Sequence, residues 1–239
     1  YRKEEFLRFI GHITTKNKFL KSRNLLMFSI CYFCGLRPHE LTRDGNWTIQ
    51  RLKKIIDKNA SETASTKLIV TGKGRGAGKL REIVIYPEVY QKLKQYLYED
   101  LPALEKKTGV KVDGSIFVDK DGRPLIDPSY LSKVWRQTKD KFLFENDLDP
   151  YQRELWNQRD LYSTRHCYAT NLIIEQRRNG KSIDQIVTAG LLGHNSIDTT
   201  IASYIYTAAV LLEDEKMKLQ AEKAAHACVE NMNHIVNEG

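Results

Sequence analysis

The stretch KLIVTGKGRGAGKLREIVIY, residues 67–86, decides the fold class of this chain. Its two β-branched runs, KLIVTG (67–72) and REIVIY (81–86), are separated by a loop of glycine and basic residues. Such runs on either side of a glycine-rich turn predict an antiparallel hairpin. Because the flanking segments have apolar residues at helical spacing, the sequence predicts a mainly α protein with a small antiparallel sheet inserted after the second helix.

Helical periodicity surrounds the hairpin on both sides. In the N-terminal third, apolar residues recur at helical spacing in KEEFLRFIGHI (3–13) and LKSRNLLMFSICYFC (20–34), and Gly35 closes the second helix. Pro38 suits the first turn of a short helix in LRPHELTRD, because the first helical position needs no amide hydrogen. Further helices are expected over residues 87–100, 128–142, 163–179, 182–192, 192–207 and 208–235.

Two segments after the hairpin lack this pattern. Residues 101–127 are expected to form a loop with one short strand, SIFV (115–118), and residues 143–160 are expected to be irregular. The chain has no internal repeat and no clear linker. We therefore predict one mainly helical domain over residues 1–239.

Composition and net charge indicate which kind of molecule this protein binds. With 41% hydrophobic and 28% charged residues, the chain has the composition of an ordinary globular protein rather than a disordered or fibrous one. The net charge is +8 and the pI is near 9.2. Because the basic excess is spread along the chain, it indicates a polyanionic partner such as nucleic acid.

The cysteines favour a reducing compartment. Four cysteines are too few for a disulfide scaffold, which suggests the cytoplasm. Cys31 and Cys34 form a CxxC pair, but no second pair completes a zinc site, and both lie in the apolar run LLMFSICYFCG (25–35). They are therefore expected to be buried core residues. That run of about 11 residues is too short to span a bilayer.

Two basic residues lie at turns near the hairpin. Arg37 in GLRPHEL has Glu40 three residues later. Such a pair is ordinarily a surface ion pair, but it also holds a guanidinium fork in place for a phosphate. Lys73 opens the glycine-rich turn, where flanking glycines allow close approach to a nucleic-acid backbone. The turn is not a P-loop, because Leu80 follows Lys79 in place of Ser or Thr.

Three further residues carry groups suited to phosphoryl transfer. Arg165 lies in YSTRHCYAT, at the expected start of a helix, and His194 follows Gly193. Tyr204 lies ten residues beyond His194. Arginine and histidine supply donors for a phosphodiester, a lysine supplies a proton, and a tyrosine is a nucleophile that needs no metal.

Taken in order along the chain, these segments resemble the tyrosine recombinase, or phage integrase, family. Its catalytic fold is shared with type IB topoisomerases. GLRPHEL resembles the first arginine box and VTGKGRGAGKLREIVIY the hairpin that bears the catalytic lysine. YSTRHCYATNL resembles the HxxRH box, and LLGHNSIDTTIASYIYT the box that carries the nucleophile. The resemblance implies that Arg37, Arg165 and His194 grip the scissile phosphate. It implies that Lys73 protonates the departing 5′ oxygen, while Tyr204 attacks phosphorus to form a 3′-phosphotyrosyl link.

The chain departs from the family's pattern at one position. Tyr162 stands where the family usually has the histidine of HxxR. A tyrosine can donate a hydrogen bond to a phosphate, but with a reference pKa near ~10 it is a poorer proton carrier at pH 7. His166 is interpreted as structural, because neighbouring helical residues face different ways. Tyr206 points about 200° from Tyr204 on a helix, so it is expected to be a packing residue.

The resemblance also implies a reaction and its partners. A recombinase of this kind integrates, excises or resolves a mobile element without a cofactor or metal, as a homotetramer on two double-stranded DNA sites. Accessory DNA-bending or directionality proteins, a cytoplasmic, nucleoid-associated location and no membrane partner are expected with it. The family's N-terminal core-binding domain is not among these residues, and the helix over about 208–235 is expected to be exchanged between subunits. A non-catalytic DNA-binding protein on the same fold and a type IB topoisomerase are the alternatives.

Overall fold

The computed structural model describes residues 2–58, 65–72, 78–180 and 199–212, with side chains of the last segment described from residue 203. The described chain is mainly helical with a two-stranded antiparallel sheet, which confirms the predicted class at that level. In chain order the elements are α1 (Lys3–Ile10), α2 (Lys18–Cys34), α3 (Pro38–Thr42), α4 (Ile49–Lys58), β1 (Thr66–Thr71), β2 (Leu80–Ile85), α5 (Pro87–Gln95), a π-helical turn (Tyr96–Asp100), α6 (Leu101–Thr108), α7 (Tyr130–Glu145), α8 (Pro150–Gln158), α9 (Ser163–Arg178) and α10 (Thr199–Leu212).

The chain divides into two compact units, Tyr1–Arg165 and His166–Gly239, with the boundary inside α9. The helix predicted over 182–192 lies outside the described residues. So do residues 213–239, which include most of the predicted tail helix. Residues 208–212 of that helix belong to α10.

Aromatic side chains form the core of the first unit. The ring of Phe9 on α1 lies 4.5 Å from that of Trp135 on α7 and 4.9 Å from that of Trp156 on α8. Phe6 stacks on Tyr32 of α2 with ring centroids 4.0 Å apart. Each such ring buries a large apolar area, and replacing one by alanine costs about 3–5 kcal/mol. The packing therefore holds α2, which leads into the arginine box, against its neighbours.

The two strands form the predicted antiparallel hairpin. Thr66 pairs with Ile85 at one end and Thr71 with Leu80 at the other. Alternate residues on the two strands are buried, and they face the core of the first unit. These buried strand residues are Leu68, Val70, Ile83 and Ile85. The sheet thereby fixes Arg81, which is also buried, on the same side. Residues 73–77 of the connecting turn lie outside the described part.

The expectation for residues 101–127 was wrong in two respects. Leu101–Thr108 forms α6, which continues from the π-helical turn, with Pro102 in its first turn. A proline is compatible with that position, and Leu104 packs inward from the same helix. SIFV forms no strand; its two ends make only the isolated bridges Thr48↔Ser115 and Val118↔Pro124.

Residues 143–160 were also wrongly expected to be irregular. Helix α7 runs to Glu145, and α8 follows over Pro150–Gln158. The side chain of Asp149 accepts a hydrogen bond from the backbone of Gln152 at 2.8 Å, so α8 has an ordinary N-cap. The predictions also lacked α4, whose residues Leu52 and Ile56 are buried one turn apart.

The CxxC cysteines are buried, as predicted. Both Cys31 and Cys34 are free thiols at the end of α2. Burial raises the pKa of Cys34 to about 12, so this thiol stays protonated. Among the helices of the described ranges, none is long and apolar enough to cross a bilayer.

Candidate functional site

The first arginine box is a sharp turn between two helices. Gly35 ends α2 in the left-handed conformation, with φ of 64°, which glycine adopts without strain. Pro38 occupies the first turn of α3. The backbone amide of Arg37 donates a hydrogen bond to Glu40 Oε2 at 2.8 Å. Local sequence alone therefore fixes the carboxylate of Glu40 against the turn that carries Arg37.

Glu40 is the buried centre of an arginine cluster. Its side chain is 0% exposed, and Arg81 Nη2 on β2 donates to its Oε2 at 2.6 Å. Arg37 Nη1 lies 3.5 Å from its Oε1. Burial opposes ionisation of this carboxyl, but hydrogen bonding and charge from Arg81 outweigh it and hold the pKa of Glu40 below its ordinary value. The carboxylate is therefore charged near neutral pH and anchors both guanidinium groups.

The sheet approaches Glu40 so closely that one position next to β1 excludes a side chain. A Cβ added at Gly72 would lie 2.8 Å from Glu40 Oε1. Gly72 follows β1 directly, and its amide donates to the carbonyl of Lys79 at 2.8 Å. The glycine therefore allows the base of the hairpin to contact the carboxylate.

Arg165 joins this cluster from the start of α9. It is 1% exposed, and its Nη1 donates to the carbonyl of Gly35 at 2.5 Å. The same carbonyl accepts from Arg81 Nη2 at 3.3 Å. Arg37, Arg81 and Arg165 thus meet around Glu40 and one backbone carbonyl. The positive charge of three guanidinium groups exceeds the negative charge of one carboxylate.

The guanidinium of Arg165 is not fully hydrogen-bonded within the described part of the chain. Its Nε and Nη2 are buried and have no hydrogen-bond partner among the residues that the structure describes. Burial, followed by the charges of Arg37 and Arg81, lowers the pKa of Arg165 to about 10, while Glu40 and Tyr162 act in the opposite direction. Buried donors without a partner cost free energy, and a bound anion would remove that cost.

Tyr162 lies beside this cluster. Its carbonyl accepts a hydrogen bond from the backbone amide of Arg165 at 3.0 Å, and its side chain is 42% exposed. Its phenol is close enough to influence the pKa of Arg165. Tyr162 therefore lies in the turn directly before Arg165, with its phenol near the buried guanidinium.

In the second unit, α9 and α10 bring a histidine and a tyrosine together. The hydroxyl of Tyr204 lies 2.7 Å from Nδ1 of His166, and the ring centroids are 5.5 Å apart. Tyr204 is 6% exposed, whereas Tyr206 is 46% exposed. The two tyrosines face different ways, as the helical spacing predicted, but the expectation that Tyr206 packs was wrong, because it is exposed and Tyr204 is the buried one.

Sequence reasoning missed two members of these clusters. His166 was interpreted as structural, and its contact with Tyr204, 38 residues later, was not foreseen. Arg81 was not singled out at all, although an arginine within the strand run REIVIY was a visible exception to its apolar pattern. Lys73 and His194, two of the predicted site residues, lie outside the described part of the chain.

The arginine cluster offers N–H hydrogen-bond donors, which suit an anion rather than a cation. Over these ranges, no group of three or more His, Cys, Asp or Glu side chains could hold a metal ion. No protein-family model matches the chain, and no curated protein matches it.

Proposed function

We propose that this chain is a tyrosine site-specific recombinase, which cuts and rejoins DNA through a 3′-phosphotyrosyl intermediate. The observation that carries the proposal is the guanidinium of Arg165, buried with two donors that have no partner among the described residues. It is held beside Arg37, which Glu40 anchors. The +8 net charge supports a polyanionic substrate.

A phosphodiester suits this arrangement better than a carboxylate or a neutral ligand does. The non-bridging oxygens of a phosphate accept the parallel N–H bonds of a guanidinium, and arginine stays charged when it is buried. During displacement at phosphorus, negative charge grows on those oxygens. Donors that are already fixed, as Arg165 is by the Gly35 carbonyl, stabilise that charge without reorganisation.

In the proposed reaction Tyr204 Oη attacks phosphorus, and the P–O5′ bond breaks. Arg37 and Arg165 neutralise the non-bridging oxygens, with His194 expected to add a donor. Lys73 gives its proton to the 5′ oxygen. The hydroxyl of Tyr162 is expected to add a hydrogen bond to the phosphate. The ester with Tyr204 conserves the bond energy of the DNA, so the reverse attack by a 5′ hydroxyl reseals the strand without ATP.

The wider assignment follows from the same proposal. The chain then has the catalytic fold of tyrosine recombinases and type IB topoisomerases and acts as a homotetramer on two DNA duplexes. Subunits are linked through the helix over about 208–235. It serves a mobile element in the cytoplasm, in association with the nucleoid.

The test is covalent trapping on DNA whose sequence need not be known. The 239-residue chain is incubated with labelled duplexes that carry a randomised segment and a nick, so that the strand released by cleavage diffuses away. We expect a labelled adduct that survives SDS and migrates with the protein. Tyr204→Phe should abolish it, and the matched variant Tyr206→Phe should keep it.

The other outcomes decide against the proposal. DNA binding without an adduct would favour a non-catalytic DNA-binding protein. Adducts that form on every sequence, together with relaxation of supercoiled plasmid, would favour a type IB topoisomerase. An adduct that persists in Tyr204→Phe but is lost in Tyr206→Phe would reverse the assignment of the nucleophile.

A further inference from the structure

The contact between His166 and Tyr204 joins a base to a weak acid. Nδ1 of the imidazole lies 2.7 Å from the phenolic oxygen, a normal length for a hydrogen bond in which the hydroxyl donates. His166 is on the exposed side of α9, whereas the tyrosine is buried on α10. The phenol is therefore largely shielded from bulk water, and the imidazole beside it is open to solvent.

A tyrosine needs help to act as a nucleophile at neutral pH. With a reference pKa near ~10, only about 0.1% of free tyrosine is ionised at pH 7. Enzymes solve this with a base within hydrogen-bond reach of the nucleophile, and histidine is the side chain best matched to neutral pH. The distance between His166 Nδ1 and Tyr204 Oη meets that requirement.

The position of His166 in the helix adds a second argument. Tyr162 stands where the resembled family has a histidine, so the chain has no imidazole at that position. Tyr162 lies in the turn directly before α9, and His166 is four residues later in the first turn of that helix. Arg165 directly precedes His166 and is buried, so the two residues face different ways.

We propose that His166 is the general base that activates Tyr204, a role that rests on the proposed recombinase function. As the Tyr204 oxygen forms its bond to phosphorus, its proton passes to His166 Nδ1 and the imidazole becomes imidazolium. The P–O5′ bond breaks, and the 5′ oxygen takes a proton from Lys73. When the strand is resealed, the imidazolium returns its proton to the departing phenol.

Within the described part of the chain, Tyr204 on α10 contacts His166 through the 2.7 Å hydrogen bond. Arg165 precedes His166 by one residue on α9, and Tyr162 lies in the turn directly before that helix. The test variants are therefore substitutions of His166 itself. Tyr206→Phe is the control, because it removes a tyrosine hydroxyl from the same helix as Tyr204.

The experiment measures the rate of adduct formation in a single turnover, between pH 5 and 9, on a duplex that the wild-type chain cleaves. For the wild type we expect the rate to rise with pH through one midpoint and then level off, as the imidazole loses its proton. His166→Ala should be slower by about 10²–10⁴-fold at pH 7.5 and should lose the midpoint. His166→Gln can still accept a hydrogen bond but cannot take a proton, so it should be comparably slow.

The control and a rescue sharpen the result. Tyr206→Phe should keep both the rate and the pH profile of the wild type. Added imidazole should restore part of the rate of His166→Ala and not that of Tyr204→Phe, because only the former retains its nucleophile.

Failure of this inference is separable from failure of the proposed function. If the wild type forms an adduct through Tyr204 while both His166 variants keep its rate and profile, the base is not His166 and the recombinase proposal stands. If His166→Gln is as fast as wild type while His166→Ala is slow, the contact only positions the phenol, and the base role is overturned. If the wild type forms no adduct, both proposals fall.

Discussion

Arg81 on β2 and Glu40 on α3 form a buried ion pair, with 2.6 Å between Nη2 and Oε2. The pair connects the hairpin, whose turn contains Lys73, to the helix that follows Arg37. Removing one partner of a buried pair leaves an uncompensated charge, which costs far more than the pair itself contributes. The buried arginine cluster therefore depends on this pair for its stability.

Glu40→Ala should destabilise the protein by about 3–5 kcal/mol, because Arg37, Arg81 and Arg165 would then repel one another without a carboxylate between them. The measurement is the free energy of unfolding in urea. Glu82→Gln is the control: Glu82 forms an exposed pair with Lys67 at 2.8 Å, and its loss should change stability by no more than about 1 kcal/mol. Equal losses in the two variants would contradict the central role of Glu40.

The stability that Glu40 contributes should depend on pH. The pKa of Glu40 is lower in the folded protein than its ordinary value of 4.5. Its contribution is therefore fully present above about pH 4.5 and is lost as pH falls through the folded-state pKa. Urea midpoints measured from pH 7 down to pH 3 should fall more steeply for the wild type than for Glu40→Gln. Parallel curves would show that this carboxyl does not titrate with unfolding.

Gly72→Ala should disturb the site although it replaces no charged residue. The new Cβ would lie 2.8 Å from Glu40 Oε1, so the carboxylate or the strand must shift, at a cost of about 1–3 kcal/mol. We expect lower stability and slower adduct formation. Gly114→Ala is the matched control, because no atom lies within 4 Å of a Cβ added there. A Gly72→Ala variant indistinguishable from Gly114→Ala would show that the hairpin is free to move away from Glu40.

Arg165→Lys should not preserve activity, although it preserves charge. A lysine cannot reproduce a fork that donates to the Gly35 carbonyl while presenting two further donors to a phosphate. We expect adduct formation to slow by about 10²–10³-fold or more, the cost of losing one aimed donor. The exposed Arg136→Lys serves as control and should keep the wild-type rate. Full activity of Arg165→Lys would mean that charge alone suffices at this position.

Tyr162 offers a separate test of the phosphate contact. Tyr162→Phe removes one hydroxyl and should slow adduct formation by up to ~100-fold. Tyr162→His should be tolerated or faster, since it restores the side chain that the resembled family has there. Single-turnover rates on one substrate compare the three proteins directly. A Tyr162→Phe variant with the wild-type rate would show that this half-exposed ring only packs.

Sequence reasoning succeeded where the determining contacts are local. The hairpin follows from two β-branched runs and a glycine-rich turn, and the pairing of Arg37 with Glu40 follows from their spacing. It failed over residues 101–127 and 143–160, where α6 and α8 form with Pro102 and Pro150 in their first turns. A proline there fits the first turn, so the letter alone cannot distinguish a helix start from a break.

The remaining site residues depend on contacts that no local pattern encodes. Arg81 meets Glu40 across 41 residues, and His166 meets Tyr204 across 38. Such long-range contacts depend on how the helices and strands pack against one another. A single sequence does not reveal that packing. The resemblance to recombinases singled out Arg165 and Tyr204 but not Arg81 and His166, which lie beside them.

The carbonyl of Gly35 has a consequence for how such a site withstands mutation. It accepts hydrogen bonds from both Arg165 and Arg81, so the guanidinium groups of two distant segments share one acceptor. An acceptor that belongs to the backbone cannot be deleted by any codon change. Substitution at 35 can only rotate it, by forcing a side chain into the left-handed turn with φ of 64°. Point mutations can therefore replace either arginine donor or change the orientation of the Gly35 peptide group, but they cannot remove the shared acceptor.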